Sequence, residues 1–205
     1  MIPKFKAHPW HGISAGEKAP DVVTVYVEIV PSDTIKYEVD KESGYLKVDR
    51  PQKFSNIIPA LYGFVPQTYC DEEVKKLAIE SGATDVTMGD HDPLDICVLS
   101  SHNIHAGNLL MDAIPIGGFK MIDKGEADDK IIAVMVGDQA YGHMKDISDL
   151  PEAEVQRLKH YFLTYKNLPY EQASCRIDET YGAEHAKQVI EASLKDYKTN
   201  YGEEK

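Results

Sequence analysis

The densest chemistry in the chain is the run Gly89-Asp90-His91-Asp92-Pro93-Leu94-Asp95, which sets three aspartates at i, i+2 and i+5 ahead of an apolar stretch. Pro93 disfavours helix at Asp92, so the run reads as an extended turn. In such a turn Asp90 and Asp92 direct their oxygens to one side, and Asp95 returns from the first residues of the following strand. Hard divalent cations such as Mg²⁺ take a few oxygen ligands of this type and keep room for water and phosphate. The same run is equally an Asx-turn, a common way for aspartate to open a strand. An EF-hand is excluded, because its glycine and its later bidentate glutamate are missing from the required places.

A second cluster, Asp123-Lys124-Gly125-Glu126-Ala127-Asp128-Asp129-Lys130, joins the apolar stretches Ala113–Ile122 and Ile131–Val136. Alone it is a polar hairpin loop. Ile35-Lys36-Tyr37-Glu38-Val39 alternates, so Lys36 and Glu38 share one strand face. That face is either solvated or, with Glu28 and Arg50 from neighbouring strands, the wall of a polar pocket. Tyr165-Lys166 ends a predicted helix, where the dipole favours a lysine.

The elements that position these groups are short. Residues 1–20 form an irregular arm. Val22–Val30 is a β-branched strand ended by Pro31. Ile35–Val39 and Tyr45–Arg50 make a hairpin around the glycine-ended turn Asp40–Gly44. Further strands are expected at 94–99, 113–122 and 130–136. With no βαβ rhythm, the pattern favours an antiparallel barrel or sandwich. Two helices follow. Asp149 is expected to cap the first, with Leu150 and Pro151 in its first turn and Val155, Leu158, Phe162 and Tyr165 on one stripe. The second covers about 183–197, with Ala186, Val189, Ile190, Leu194 and Tyr197 as its apolar face. Residues 66–89 are polar, with a short helix at 72–80. The expected class is α+β, mainly β: a small barrel with two helices from the C-terminal half packed on it.

The chain has 205 residues, enough for one domain spanning 1–205 with a real core. Hydrophobic content of 42% and charge of 27% are those of a folded globular protein. A net charge of −12 argues against a protein that grips nucleic acid or anionic membrane, since both need a basic surface. Three cysteines, an odd number without C-x-x-C spacing, argue against a disulfide framework or a zinc site. Cys97, in an apolar run, reads as a small buried hydrophobe. No stretch approaches the roughly 18 apolar residues of a membrane span, and the N-terminus lacks a signal-type apolar region. A soluble protein of a reducing cytoplasm is expected.

Taken together, the motifs form a recognisable order. Val27-Glu28-Ile29, Ile35-Lys36-Tyr37-Glu38, Val48-Asp49-Arg50, Tyr62-Gly63, Asp-x-Asp-Pro-x-Asp at 90–95, Asp123 with Asp128-x-Lys130, and Tyr165-Lys166 resemble the family I soluble inorganic pyrophosphatases. The resemblance implies an OB-like barrel that hydrolyses pyrophosphate to two orthophosphates with Mg²⁺, for which Mn²⁺ or Zn²⁺ can substitute. It implies Asp90, Asp95 and Asp128 as direct metal ligands. Asp123, Glu28 and Glu38 would act through further metals or their waters. Asp92 would be the general base, and Lys36, Arg50, Tyr62, Lys130, Tyr165 and Lys166 would contact phosphate oxygens. It also implies a homo-oligomer, a hexamer for the short form of the family or a dimer for the long form. Three positions depart from the pattern. His91 stands in the carboxylate turn, and reads as a partly exposed turn histidine. Ile58 takes a place where a site tyrosine is common. Residues 66–89 form an insertion.

Two other classes compete: a divalent-cation module without turnover, and an OB-type oligonucleotide binder. The second needs exposed aromatics and a basic groove, whereas acids crowd the candidate face. A cation buffer has no reason to place Lys36, Arg50, Lys130 and Lys166 among its carboxylates. Seven acids and four bases give the proposed site 4 − 7 = −3. That is the wrong sign for a polyanionic substrate unless divalent cations enter with it.

Overall fold

The computed structural model describes residues 6–53, 57–167, 170–171 and 174–202. The first five residues of the expected arm lie outside them. Five strands close into a barrel in the order β1 (Val23–Ile29), β4 (Leu61–Phe64), β6 (Asp95–Leu99), β9 (Lys130–Met135) and β7 (Leu109–Asp123), with β7 returning to β1. β7 can serve several neighbours because it is 15 residues long. Its start pairs with β1, its middle with β9, and its end with β10 (Cys175–Gly182). A bulge between Pro115 and Gly117 lets it bend around the barrel.

The expected antiparallel pairing holds around this ring except between β6 and β9, which run parallel. Strand directions cannot alternate strictly around a closed ring with an odd number of members, so one neighbouring pair must be parallel. Two short strands, β5 (Met88–Gly89) and β8 (Glu126–Ala127), extend the sheet as a second parallel pair. β2 (Ile35–Val39) and β3 (Leu46–Pro51) form a separate hairpin around Asp40–Gly44, where Gly44 takes φ +72°.

Both faces of β6 and β9 are buried. Ile96, Val98, Ile131 and Ala133 pack on one side with α1 (Glu72–Glu80) and α3 (Ala183–Tyr201). Cys97, Leu99, Ile132 and Val134 pack on the other with α2 (Glu152–Thr164). This double burial explains why these strands read as continuous apolar runs. Each large side chain so buried stabilises the fold by roughly 1.5–3 kcal/mol. α3 buries Ala186, Val189 and Ile190, as its periodicity requires.

Two local expectations change. α2 is capped by Pro151, not by Asp149. The Asp149 carboxylate instead accepts N–H bonds from Lys145 and Asp146 in a 3₁₀ turn at Ile147–Asp149. Pro151 suits the boundary because its missing N–H is one a helix start leaves unbonded. The strand β10 was not expected: its bulge between Ile177 and Glu179 breaks the period-2 pattern. All three cysteines are free and buried.

Candidate active site

The parallel pair β6–β9 starts the site. Its register sets Asp95 opposite Lys130, each the first residue of its strand. Side chains directly paired in a sheet leave on the same face, so the Lys130 ammonium donates to Asp95 Oδ2 at 2.5 Å. It also donates to Asp128, two residues back on the same turn. β7 ends at Asp123, and the tight turn Lys124-Gly125, both at positive φ, sends the chain back through β8 to Asp128. Lys166, just past α2, donates to Asp123 Oδ2 at 2.5 Å.

The hairpin supplies the opposite wall. Lys36 Nζ donates to Glu38 Oε2 at 2.8 Å and to Asp49 Oδ2 at 3.1 Å. Glu28 on β1 accepts the Val39 N–H at 2.6 Å, which ties barrel to hairpin. Tyr62 reaches the site because its neighbour Gly63 allows β4 to press against β1. A Cβ at Gly63 would lie 1.8 Å from the Tyr26 carbonyl oxygen.

The Asx-turn and the carboxylate cluster coexist in the 90–95 run. The Asp92 N–H donates to Asp90 Oδ1 at 3.0 Å, and His91 sits at φ +59°. Asp92 is ion-paired with Lys41. His91 is exposed and hydrogen-bonded to the Tyr69 hydroxyl at 3.1 Å, outside the cleft wall.

All thirteen residues singled out from the sequence line one cleft: Glu28, Lys36, Glu38, Arg50, Tyr62, Asp90, Asp92, Asp95, Asp123, Asp128, Lys130, Tyr165 and Lys166. Its volume of about 220 Å³ is below the roughly 300–1,000 Å³ typical of drug-sized ligands, and suits a small inorganic anion with cations. Trp10, Lys41, Phe64 and Glu126 line it too and were not foreseen. Lys41 falls in the hairpin turn, out of phase with the Lys36–Glu38 alternation. Trp10 belongs to the arm, where no periodicity marks it. Ile58 does not line the cleft; it is buried in the core beside α2.

Burial dominates the electrostatics of the site acids, and neighbouring carboxylates add to it. Burial pushes the Asp90 carboxyl well up, and Asp128 and Asp95 add to the push. Burial also carries Glu28 up to about 8, against the pull of the Val39 N–H, with Asp95 raising it further. Burial works to discharge Lys130, yet Asp128 and Asp95 outweigh it and hold the ammonium charged. Tyr62 is raised far above its ordinary value by burial and by Asp95, so it remains a phenol able to donate.

The donor set suits a hard divalent cation. It consists of carboxylates that repel one another, and one of their oxygens, Asp123 Oδ1, is buried without a hydrogen-bond partner among the described residues. Among the described residues no three ligating side chains converge on one point, and the Lys130 ammonium stands between Asp95 and Asp128.

The raised Glu28 has a consequence for stability. Unfolded, this carboxyl releases its proton near its ordinary 4.5; folded, it holds it to about 8. Its contribution is complete below pH 4.5 and is lost as pH rises toward 8, by on the order of 1 kcal/mol per pH unit. His11 and His185, lowered chiefly by burial, slope the other way below about pH 6.5. Denaturant unfolding of the metal-free chain should therefore show wild type losing stability relative to Glu28→Gln across pH 5–8. Parallel curves for the two proteins would assign the slope to other groups.

The family model described as Inorganic pyrophosphatase matches residues 25–198. The chain is 48% identical over 195 residues to the inorganic pyrophosphatase of Chlamydia muridarum, covering 93% of each chain. It is 39% identical to the soluble inorganic pyrophosphatase of Zea mays, over 92% of this chain and 78% of that one. Its fold matches the crystal structure of inorganic pyrophosphatase from Thermus thermophilus with a TM-score of 0.78 at 30% identity, covering 94% of this chain and 99% of that chain. The barrel, the cleft and these relatives agree: the chain belongs to the family I soluble inorganic pyrophosphatases, metal-dependent hydrolases that split pyrophosphate into two orthophosphates.

Proposed function

We propose that hydrolysis takes place in the cleft by direct attack of a water on one phosphorus, with Mg²⁺ as the cofactor and Mn²⁺ or Zn²⁺ as substitutes. Asp90, Asp95 and Asp128 would hold the cation directly. Asp123, Glu28 and Glu38 would hold further cations or their waters. When bound, divalent cations would lower the pKa of a water and offset the charge that shields a phosphoanhydride from attack.

The side chains do the rest. Asp92 sits at the cleft mouth and accepts the proton of the attacking water once Lys41 yields to substrate. Lys36, Arg50, Lys130 and Lys166 neutralise phosphate oxygens as charge builds on the leaving group, and Tyr62 and Tyr165 donate hydrogen bonds to them. No covalent intermediate is needed, and the three buried cysteines stand aside. The observation that carries this reading is the convergence of eight acids and five bases on one small cleft.

The site has room for pyrophosphate but its acids disfavour nucleic acid, and no described helix is long and apolar enough to cross a membrane. The buried free thiols suit a reducing cytoplasm. The family resemblance supports a homo-oligomer, dimer or hexamer. Orthophosphate release from pyrophosphate should require Mg²⁺ and stop with EDTA. Release that persists in EDTA would rule out the metal-dependent scheme, and no release with Mg²⁺ would rule out the catalytic one.

A further inference from the structure

The 90–95 run is held from outside its own strand. Val65 N–H donates to the Leu94 carbonyl at 3.0 Å, and Leu94 N–H to Thr68 Oγ1 at 2.8 Å. Cys70 N–H donates to the Asp92 carbonyl, and His91 N–H to the Cys70 carbonyl, both at 3.0 Å. Gly89 lets the two segments touch, since a Cβ there would lie 2.2 Å from the Cys70 oxygen. The position of Asp90 and Asp92 is therefore set by where residues 65–70 lie.

Residue 71 immediately precedes α1, and the cap of this helix is unusual. Asp71 occupies the N-cap position, yet its side chain makes no capping bond. Asn200 donates to that carboxylate instead, at 3.1 Å. The orphan N–H groups of Asp71, Glu73 and Val74 all donate to one carboxylate, Asp196 on α3, at 2.9, 2.9 and 3.1 Å. Asp196 is 2% exposed. A buried carboxylate is tolerable only when such bonds replace its water, and three charge-assisted bonds make a stiff joint. Ser193, one turn earlier, accepts the Tyr69 N–H at 3.0 Å and reinforces it.

We propose that Asp196 is a positioning residue for the hydrolysis. Through the first turn of α1 and then Cys70, it fixes where the 90–95 run presents its carboxylates to the cleft in which the metal would bind. This rests on the reading of Asp90 and Asp95 as ligands. A carboxylate that merely staples α1 to α3 would affect stability alone.

The two roles separate by calorimetric titration of Mg²⁺ into the metal-free chain. Asp196→Asn keeps the shape but turns an amide N–H₂ toward backbone donors. It should raise the Mg²⁺ Kd about tenfold, as loss of a group that orients metal ligands does. Hydrogen exchange at His91 should quicken in the same variant. Val189→Ala, which truncates a buried side chain of the same helix, is the control: it should lower Tm and leave the Kd unchanged. A Kd for Asp196→Asn within twofold of wild type would overturn the proposal, whatever its Tm. Should that variant not fold, Asp196→Glu keeps the charge but displaces α1 by a methylene. There a several-fold weaker Kd supports the proposal and a wild-type value overturns it. Asp95→Asn distinguishes the other failure: wild-type Mg²⁺ binding in that variant would overturn the ligand reading itself, and this proposal with it.

Discussion

Asp95→Asn should lower kcat by more than about 100-fold, beyond the 10–100-fold typical of groups that only support metal ligands. The substitution is isosteric and removes one charge from a crowded set. Asp95 raises both Asp90 and Glu28, so its neutralisation relieves two buried carboxyls. Against that relief, Lys130 loses one of its two partners but retains Asp128. The two effects oppose, and the stability of the metal-free chain should change by no more than about 1 kcal/mol, with a small gain the expected direction. A steady-state assay beside a thermal melt checks both parts. Wild-type turnover would show that Asp95 is no metal ligand, and a collapsed melt would show that its role is structural.

Lys130→Met should produce the largest loss of stability. The ammonium is 1% exposed and is the cation between Asp95 and Asp128, with Asp90 also in its field. Methionine fills a similar volume but leaves those carboxylates buried without their counter-charge. Breaking a buried pair from one side costs about 3–5 kcal/mol. The open side of the cleft, where Asp95 keeps 23% of its side chain exposed, places the expectation near the lower end. Mg²⁺ should return part of the loss, because a divalent cation supplies the missing positive charge, while turnover stays low. Urea unfolding with EDTA and with Mg²⁺ measures this. Equal losses in both conditions would mean that Lys130 and the cation do not share a field.

The residues that line the cleft are more legible in the sequence than the scaffold beneath them. Asp90, Asp92, Asp95, Asp128 and Lys130 are close in sequence to the turns that present them, so local spacing carries the information. Glu28, Arg50 and Tyr165 gain meaning only from their order along the chain, since nothing local tells Glu28 from a surface glutamate. Lys41 and Trp10 carried no such signal, because their approach to the cleft is fixed by contacts such as the Trp10 indole donating to the Thr68 carbonyl. In the scaffold, β1, the hairpin and α1 follow their patterns closely. β10 does not, because its bulge scrambles the alternation. Asp71 and Asp149 show the limit of capping rules: each has the right residue type, but a distant or neighbouring donor claims its carboxylate. The parallel pairing of β6 and β9 is invisible to any local window, although a five-membered ring requires one such pair.

That parallel pair also bears on how the chain reaches its working form. Asp95 and Lys130 are 35 residues apart and meet only when β6 and β9 join in the correct register. A slip of one residue would turn Lys130 to the opposite face and carry every apolar neighbour with it, since side chains alternate along a strand. Pairings between distant segments close late, because loop entropy is lost before their contacts form. The carboxylates and their ammonium are thus brought together by the same event that closes the barrel. A chain trapped in a wrong register lacks the Asp95–Lys130 contact, so regain of catalysis during refolding should report strand alignment rather than collapse.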